Sequence, residues 1–254
     1  MGPAVRYLPE SLEHLVSRGR LDEARALAER LGVALPEPPA RARRSAGWGG
    51  VRTLFTRDYA RPTVLFWLTA FCSLLLVYAM NTWLPQLMRQ AGYPLGSALS
   101  FLLVFNVGAI AGLLVGGRAA DRFGPKPVVA TAFALAAASV ALLAGTFDFA
   151  ALYVLFAIGG YGTIGTQTLL NAYITGYYPG ESRAAGIGWS LGVGRFGGIL
   201  GPVLGGLLIT SGLPLTRIFF VFAGVALIGA LLVCGVRRSP TPPVVPAPTQ
   251  PQEA

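Results

Sequence analysis

From residue 63 onward, the chain consists of long apolar stretches separated by short polar segments. Each stretch is near the ~20 residues that an α-helix needs to cross the hydrocarbon core of a bilayer. The separators carry charges, glycine or proline, which are typical of turns. The pattern therefore predicts an all-α integral membrane protein with a bundle of six transmembrane helices. The predicted spans are 63–84, 98–117, 127–145, 150–171, 184–209 and 217–236.

The two ends of the chain have a different pattern. Residues 7–31 have apolar positions at helical spacing, which predicts two short amphipathic helices separated at Gly19. Residues 35–50 form a Pro-, Arg- and Gly-rich linker without periodicity, and the Pro-rich polar end of the chain predicts disorder. The predicted organisation is a cytoplasmic segment, a six-helix bundle and a disordered cytoplasmic tail, with the bounds 1–61, 62–236 and 237–254.

The composition and charge support a membrane location. Hydrophobic residues make up 54% of the chain and charged residues only 12%, whereas soluble domains carry about 25% charged residues. The net charge of +9 does not indicate a nucleic-acid partner, because the basic residues mostly flank the apolar stretches. Only Arg89 and Arg217 flank spans on the side opposite the N-terminal segment. Positive residues favour the cytoplasmic side, which predicts that both termini are cytoplasmic.

Residue types that carry catalysis or bind metals are scarce. The one histidine, His14, lies in the N-terminal segment, and Cys72 and Cys234 lie in separate apolar runs. There is no phosphate-binding loop and no His-Glu-x-x-His motif. We therefore expect no enzyme activity, no catalytic residue, no metal and no cofactor.

The loop after the second predicted span carries a recognisable motif. Its key residues are Gly117, Asp121, Arg122, Gly124 and Lys126. This spacing resembles the Gly-x-x-x-Asp-Arg-x-Gly-x-Lys/Arg loop of the major facilitator superfamily, which occurs in each half of that twelve-helix fold. The resemblance implies a conformational role for these residues. A generic charged turn beside the inner membrane face is the alternative interpretation.

A second segment, residues 178–206, is more specific. It contains Tyr178-Pro179, then Arg183, a Gly-x-Gly-Trp run and a Gly-x-Gly-Arg run that ends at Arg195. It resembles the aromatic acid:proton symporters of the same superfamily and adds Arg183 to the conformational residues. The resemblance implies the C-terminal half of the fold, helices seven to twelve, without the first six helices and their Asp-Gly-x-Asp motif. Its glycine repeats allow close helix approach.

Arg195 is the leading candidate for substrate binding. It is the twelfth residue of its apolar stretch, so a rise of about 1.5 Å per residue places it near the bilayer midplane, where charged residues normally face a cavity or a partner. A guanidinium group suits a carboxylate in bidentate geometry. The alternative is an arginine whose hydrogen bonds are satisfied by backbone carbonyls.

Other polar residues in the spans are further candidates. Thr163, Gln167 and Asn171 are spaced at i, i+4 and i+8 in the fourth span, which predicts one polar face that lines a cavity or bonds between helices. Tyr78 is a candidate for stacking on a substrate ring, whereas Trp83 fits an aromatic belt at the membrane interface.

By resemblance, the expected function is proton-coupled uptake of an aromatic carboxylate such as 4-hydroxybenzoate, across the bacterial inner membrane. The expected partners are a small organic acid, a proton, the lipid bilayer, and a missing N-terminal half or another membrane protein. The chain alone is expected to be inactive, because its predicted spans contain no acidic residue for proton coupling. Two alternatives remain: transport of another organic anion, such as a sugar acid or a sialate-like acid, and a non-transporting gene remnant or membrane interaction module.

Overall fold

The computed structural model describes Leu15, residues 20–31 and residues 49–237. The chain divides into two compact units, Met1–Gly47 and Trp48–Ala254. In the first unit, helix α1 spans Leu21–Leu31, and its Ala24 packs on Leu15. Helix α1 corresponds to the second predicted amphipathic helix. Apart from Leu15, the first amphipathic helix lies outside the described residues, as do residues 35–48 of the predicted linker and the tail beyond residue 237.

The described part of the second unit is helical throughout, apart from its turns. Six segments are long and apolar enough to cross a membrane, which confirms the predicted all-α bundle with six spans. A short helix, α2, begins at Gly49, inside the predicted linker. The helices are α2 (Gly49–Leu54), α3 (Ala60–Gln90), α4 (Leu95–Phe123), α5 (Pro125–Leu142), α6 (Phe149–Gly160), α7 (Thr166–Tyr177), α8 (Gly180–Thr210) and α9 (Leu215–Gly235).

Helices α3, α4 and α8 extend beyond the apolar stretches that predict them, to 31, 29 and 31 residues. Their additional residues include charged ones near the helix ends, such as Arg89 and Arg122. A helix satisfies its own backbone hydrogen bonds in water as well as in lipid, so it can continue past the hydrocarbon core. The apolar pattern therefore marks the membrane-embedded part of each helix and not its end.

Three tight turns between spans depend on a glycine with positive φ, a conformation that disfavours residues with a Cβ atom. These glycines are Gly92 (φ 93°), Gly124 (φ 89°) and Gly212 (φ 71°). In each turn a proline follows within two residues and caps or begins the next helix, where its missing N–H group loses no intrahelical bond. These prolines are Pro94, Pro125 and Pro214.

Helix α3 packs closely along α8. A Cβ atom added at Gly197 would lie 2.1 Å from the carbonyl oxygen of Phe71, and one added at Gly201 would lie 2.4 Å from that of Leu75. The two backbones can approach this closely only because both positions are glycine. Small residues commonly allow such contacts between transmembrane helices.

The faces of α4 and α8 are much less covered than α3. Within their membrane segments, 61% of the residues are buried in α3, compared with 22% in α4 and 22% in α8. Large apolar side chains such as Ile110 and Leu114 of α4, and Phe196 and Ile199 of α8, are exposed. These two helices therefore present apolar faces that the described helices of this unit leave uncovered.

Candidate functional site

Arg195 lies at the centre of α8 and is linked to α3 through Tyr78. The Arg195 Nη1 atom donates a hydrogen bond to the Tyr78 hydroxyl oxygen across 2.9 Å. Arg195 is exposed, and 39% of the Tyr78 surface is exposed, so the pair lies on an open face of the bundle. Within the described residues, no carboxylate forms an ion pair with Arg195. The structure thus brings together two of the predicted site residues and leaves the cation without a counter-charge.

The close packing of α3 on α8 positions this pair. A Cβ atom added at Gly198 would lie 2.9 Å from Cδ2 of the Tyr78 ring, so glycine makes room for the ring beside Arg195. Further along, the Trp83 indole Nε1 donates to the Pro202 carbonyl oxygen across 2.8 Å. Trp83, expected in an aromatic belt, therefore also joins α3 to α8.

Gln167 and Asn171 form a second polar group on α7. The Gln167 Nε2 atom donates to Asn171 Oδ1 across 3.0 Å. Gln167 is only 9% exposed, and its Oε1 atom is buried without a hydrogen-bond partner among the described residues. An unsatisfied buried acceptor costs about 1–3 kcal/mol. Because this amide oxygen is buried, a donor can reach it only from within the packed helices.

Thr163 is separated from these two residues by a change in helix geometry. It lies in a π-helical segment, Tyr161–Gly165, that joins α6 to α7 within one span. Thr163 is 1% exposed, and its hydroxyl donates to the Gly159 carbonyl oxygen across 2.8 Å. The expectation of one continuous polar face assumed a regular α-helix, and the wider π turn changes the angular spacing of the side chains.

The loop that carries the conformational motif has a clear structural basis at two positions. Gly124 adopts a positive φ between α4 and α5. The Lys126 Nζ atom donates to the Val236 carbonyl oxygen across 2.6 Å, which satisfies a carbonyl at the C-terminal end of α9, where helical partners run out. The loop therefore ties α5 to α9.

The remaining motif residues make fewer contacts within the described residues. The Arg122 guanidinium lies 5.3 Å from the ring centroid of Phe123. Asp121 is exposed and forms no ion pair in the described part of the chain. A Cβ atom added at Gly117 would meet open space. Asp121 and Gly117 are thus available to a partner outside these helices.

A polar network around Tyr178 connects the start of α8 to α2 and α3. The buried Tyr178 hydroxyl lies 2.8 Å from Thr63 Oγ1, which donates to the Leu54 carbonyl oxygen across 3.1 Å. Because the single Thr63 hydroxyl proton is used in the bond to Leu54, the Tyr178 hydroxyl donates to Thr63 Oγ1. The Arg183 Nε atom makes a long contact of 3.5 Å to the Tyr178 carbonyl oxygen. Sequence reasoning missed Thr63, because no local pattern pairs it with a residue so distant in the chain.

The residues from Gly188 to Gly192 match the order Gly-x-Ser-x-Gly, which in some hydrolases surrounds a nucleophilic serine. That chemistry requires a sharp turn after a strand, which exposes the serine. Here Ser190 lies inside α8, is 1% exposed and donates to the Gly186 carbonyl oxygen across 2.8 Å. The match therefore provides no accessible nucleophile.

An apolar groove of about 560 Å³ follows the N-terminal half of α8. A Cβ atom added at Gly188 or Gly192 would meet nothing within 4 Å, so contacts among the described residues do not require glycine there. The groove is lined by Val51, Ala185, Gly188, Trp189, Gly192, Val193 and Phe196.

Known proteins resemble this chain over most of its length, and the family described as the Major Facilitator Superfamily matches residues 66–254. A benzoate transport protein of Acinetobacter baylyi is 35% identical over 237 residues, 91% of this chain and 51% of the relative. A gentisate transporter of Corynebacterium glutamicum is 40% identical over 189 residues, 74% of this chain and 43% of the relative. A 4-hydroxybenzoate transporter of Pseudomonas putida is 32% identical over 248 residues, 89% of this chain and 53% of the relative. The chain spans about half the length of these curated relatives.

Proposed function

Because this chain belongs to the major facilitator superfamily, we propose that it acts as the C-terminal half of a transporter that imports an aromatic carboxylate together with a proton. Relatives named for benzoate, gentisate and 4-hydroxybenzoate support the substrate class. The proposed location is the bacterial inner membrane with both termini in the cytoplasm. The distribution of Lys and Arg residues between the spans supports this orientation.

The observation that carries the proposal is the exposed Arg195 at the centre of a membrane span. Charged residues at this depth normally face a cavity or a partner, and such transporters bind substrate near the midplane. The guanidinium group has several N–H donors, of which one bonds Tyr78. The remaining donors are suited to a carboxylate, which accepts two parallel hydrogen bonds from a guanidinium.

Arg195 and the relatives support the proposed substrate at two levels of detail. Arg195 can bind the carboxylate of any small organic anion, including a sugar acid or a sialate-like acid. It therefore does not distinguish aromatic acids from other carboxylic acids. The names of the relatives favour an aromatic acid, and we propose a 4-hydroxybenzoate-like compound. Asn171, which is half-buried and accepts a hydrogen bond from the buried Gln167 amide, is our candidate partner for a ring hydroxyl. We assign Thr163 a packing role, since its hydroxyl bonds within its own span.

A second six-helix unit is the proposed partner. The uncovered apolar faces of α4 and α8, and the groove beside Gly188 and Gly192, support contact with further helices. Alternating access requires two bundles that rock around a midplane site. The partner would also supply the acidic residue for proton coupling, because the central parts of the described spans contain no Asp or Glu. A non-transporting membrane interaction module is the alternative that an uptake assay excludes.

The test is uptake of labelled 4-hydroxybenzoate by the full chain co-expressed with the N-terminal half of a related aromatic acid symporter. We call this combination the assembled transporter. Arg195→Lys keeps the charge but loses the planar fork, so we expect uptake to fall at least about tenfold while membrane insertion is unchanged.

Arg217→Lys is the matched control, because Arg217 lies exposed in the first turn of α9. It should leave uptake unchanged. Normal uptake by both Arg195→Lys and Arg195→Ala would show that Arg195 does not bind the carboxylate.

A further inference from the structure

We propose that Tyr78 is a second carboxylate-binding residue, and that Tyr78 and Arg195 together form a clamp that selects monocarboxylates. This inference rests on the proposed function and names the group that determines its selectivity. It gives Tyr78 a different role from the ring stacking expected from the sequence, because its polar end, and not only its ring, lies at the candidate site.

The hydrogen bonds at the pair leave mainly donors available. The Tyr78 hydroxyl oxygen accepts a bond from Arg195 Nη1 at 2.9 Å, so one of its lone pairs is used and its own proton is free to donate. No acceptor for that proton is found in the part of the chain that the structure describes. The guanidinium also has no acceptor function. A cluster that offers several N–H and O–H donors against one remaining phenolic lone pair is complementary to an anion.

The position of the pair allows both groups to reach one ligand. The two donor groups are already in contact across the α3–α8 packing, and both side chains lie on the open face. Gly198 makes room for the Tyr78 ring at this point, because a Cβ atom there would approach Cδ2 to 2.9 Å. A carboxylate beside the pair can therefore accept two bonds from the guanidinium and, through a further lone pair of one oxygen, a third bond from the tyrosine hydroxyl.

The charge of the clamp determines which ligands it favours. Arg195 contributes one positive charge, Tyr78 contributes none, and no Asp or Glu lies in the central part of the described spans. One carboxylate neutralises this charge. A carboxamide of the same shape leaves the guanidinium unneutralised, and a second carboxylate is left without a partner in a region of low dielectric, which is unfavourable. The clamp therefore favours benzoate over benzamide and over phthalate.

The test uses Tyr78→Phe in the assembled transporter. Because hydrogen bonds to charged groups are stronger than neutral ones, we expect the KM for benzoate uptake to rise about tenfold, with little change in the maximal rate per inserted molecule. The ratio of the benzamide inhibition constant to the benzoate inhibition constant should also fall about tenfold. Gly198→Ala, which displaces the ring, should change both quantities in the same direction.

Tyr153→Phe is the matched control, because the Tyr153 hydroxyl bonds Ser100 Oγ across 2.9 Å at a different helix pair. It should leave KM and the ratio of inhibition constants unchanged. An unchanged ratio in Tyr78→Phe, or inhibition of the wild type by phthalate as strong as by benzoate, would overturn the clamp while the proposed function stands. Absence of saturable uptake by the wild-type assembled transporter would overturn the proposed function and the clamp with it.

Discussion

Arg195 shows how a charged residue is tolerated near the centre of a membrane span, where its insertion costs free energy. A charged side chain at the centre of a helix span costs about 2.5–3.5 kcal/mol on insertion scales. Tyr78 offsets part of this cost through one hydrogen bond, and the open face allows water or an anionic ligand to supply others. The same features that make the residue tolerable make it suitable for binding a carboxylate.

Gly124 provides a prediction at the residue scale. Its φ of 89° and ψ of 155° lie in a region that is essentially restricted to glycine, and placing another residue there costs about 1–3 kcal/mol. We therefore expect Gly124→Ala to lower the free energy of unfolding of the purified chain in detergent by about this amount. Gly117→Ala is the control, because Gly117 lies in the same motif without positive φ and faces open space. Equal unfolding midpoints for the two variants would contradict this account of the turn.

The site could be predicted from the sequence only where its chemistry is local. The isolated charge of Arg195 and the turn at Gly124 are visible in the sequence near each residue. The bond between Tyr78 and Arg195 joins residues 117 positions apart, and it depends on how α3 packs on α8. The position of Thr163 in a π-helical segment could not be predicted, because that segment has no distinctive sequence pattern.

At the scale of helices, the glycine repeats of α8 serve two different environments. Gly197 and Gly201 face the backbone of α3, whereas Gly188 and Gly192 line the open groove. The sequence indicates close helix approach at all these positions but cannot say which partner approaches each one. Only the packing of α3 separates the two sets.

Gly197 provides the prediction at this scale. A Cβ atom at this position would lie 2.1 Å from the backbone oxygen of Phe71, so Gly197→Ala must push α3 and α8 apart. We expect a loss of about 1–3 kcal/mol in unfolding free energy, as for other overpacked contacts, measured by thermal or chemical denaturation in detergent. Gly224→Ala is the control, because Gly224 lies inside α9 and its added Cβ would meet nothing within 4 Å. A Gly197→Ala variant as stable as this control would contradict the described packing.

At the scale of the whole molecule, the described bundle resembles half of a larger assembly. The faces of α4 and α8 are uncovered, and the chain spans about half the length of its relatives. Lipid can cover the apolar side chains but not the exposed guanidinium group of Arg195, which requires hydrogen-bonding partners. Two copies of the chain that met at this face would bring two Arg195 cations together, and like charges repel strongly at low dielectric.

The most direct test of the half-transporter proposal is uptake of labelled aromatic acids into proteoliposomes that contain either the chain alone or the assembled transporter. We expect the chain alone to insert into the membrane without saturable uptake, because it supplies one bundle and no acidic residue in the central part of its described spans. The assembled transporter should show saturable uptake that depends on a proton gradient. Saturable, proton-dependent uptake by the chain alone would contradict the proposal.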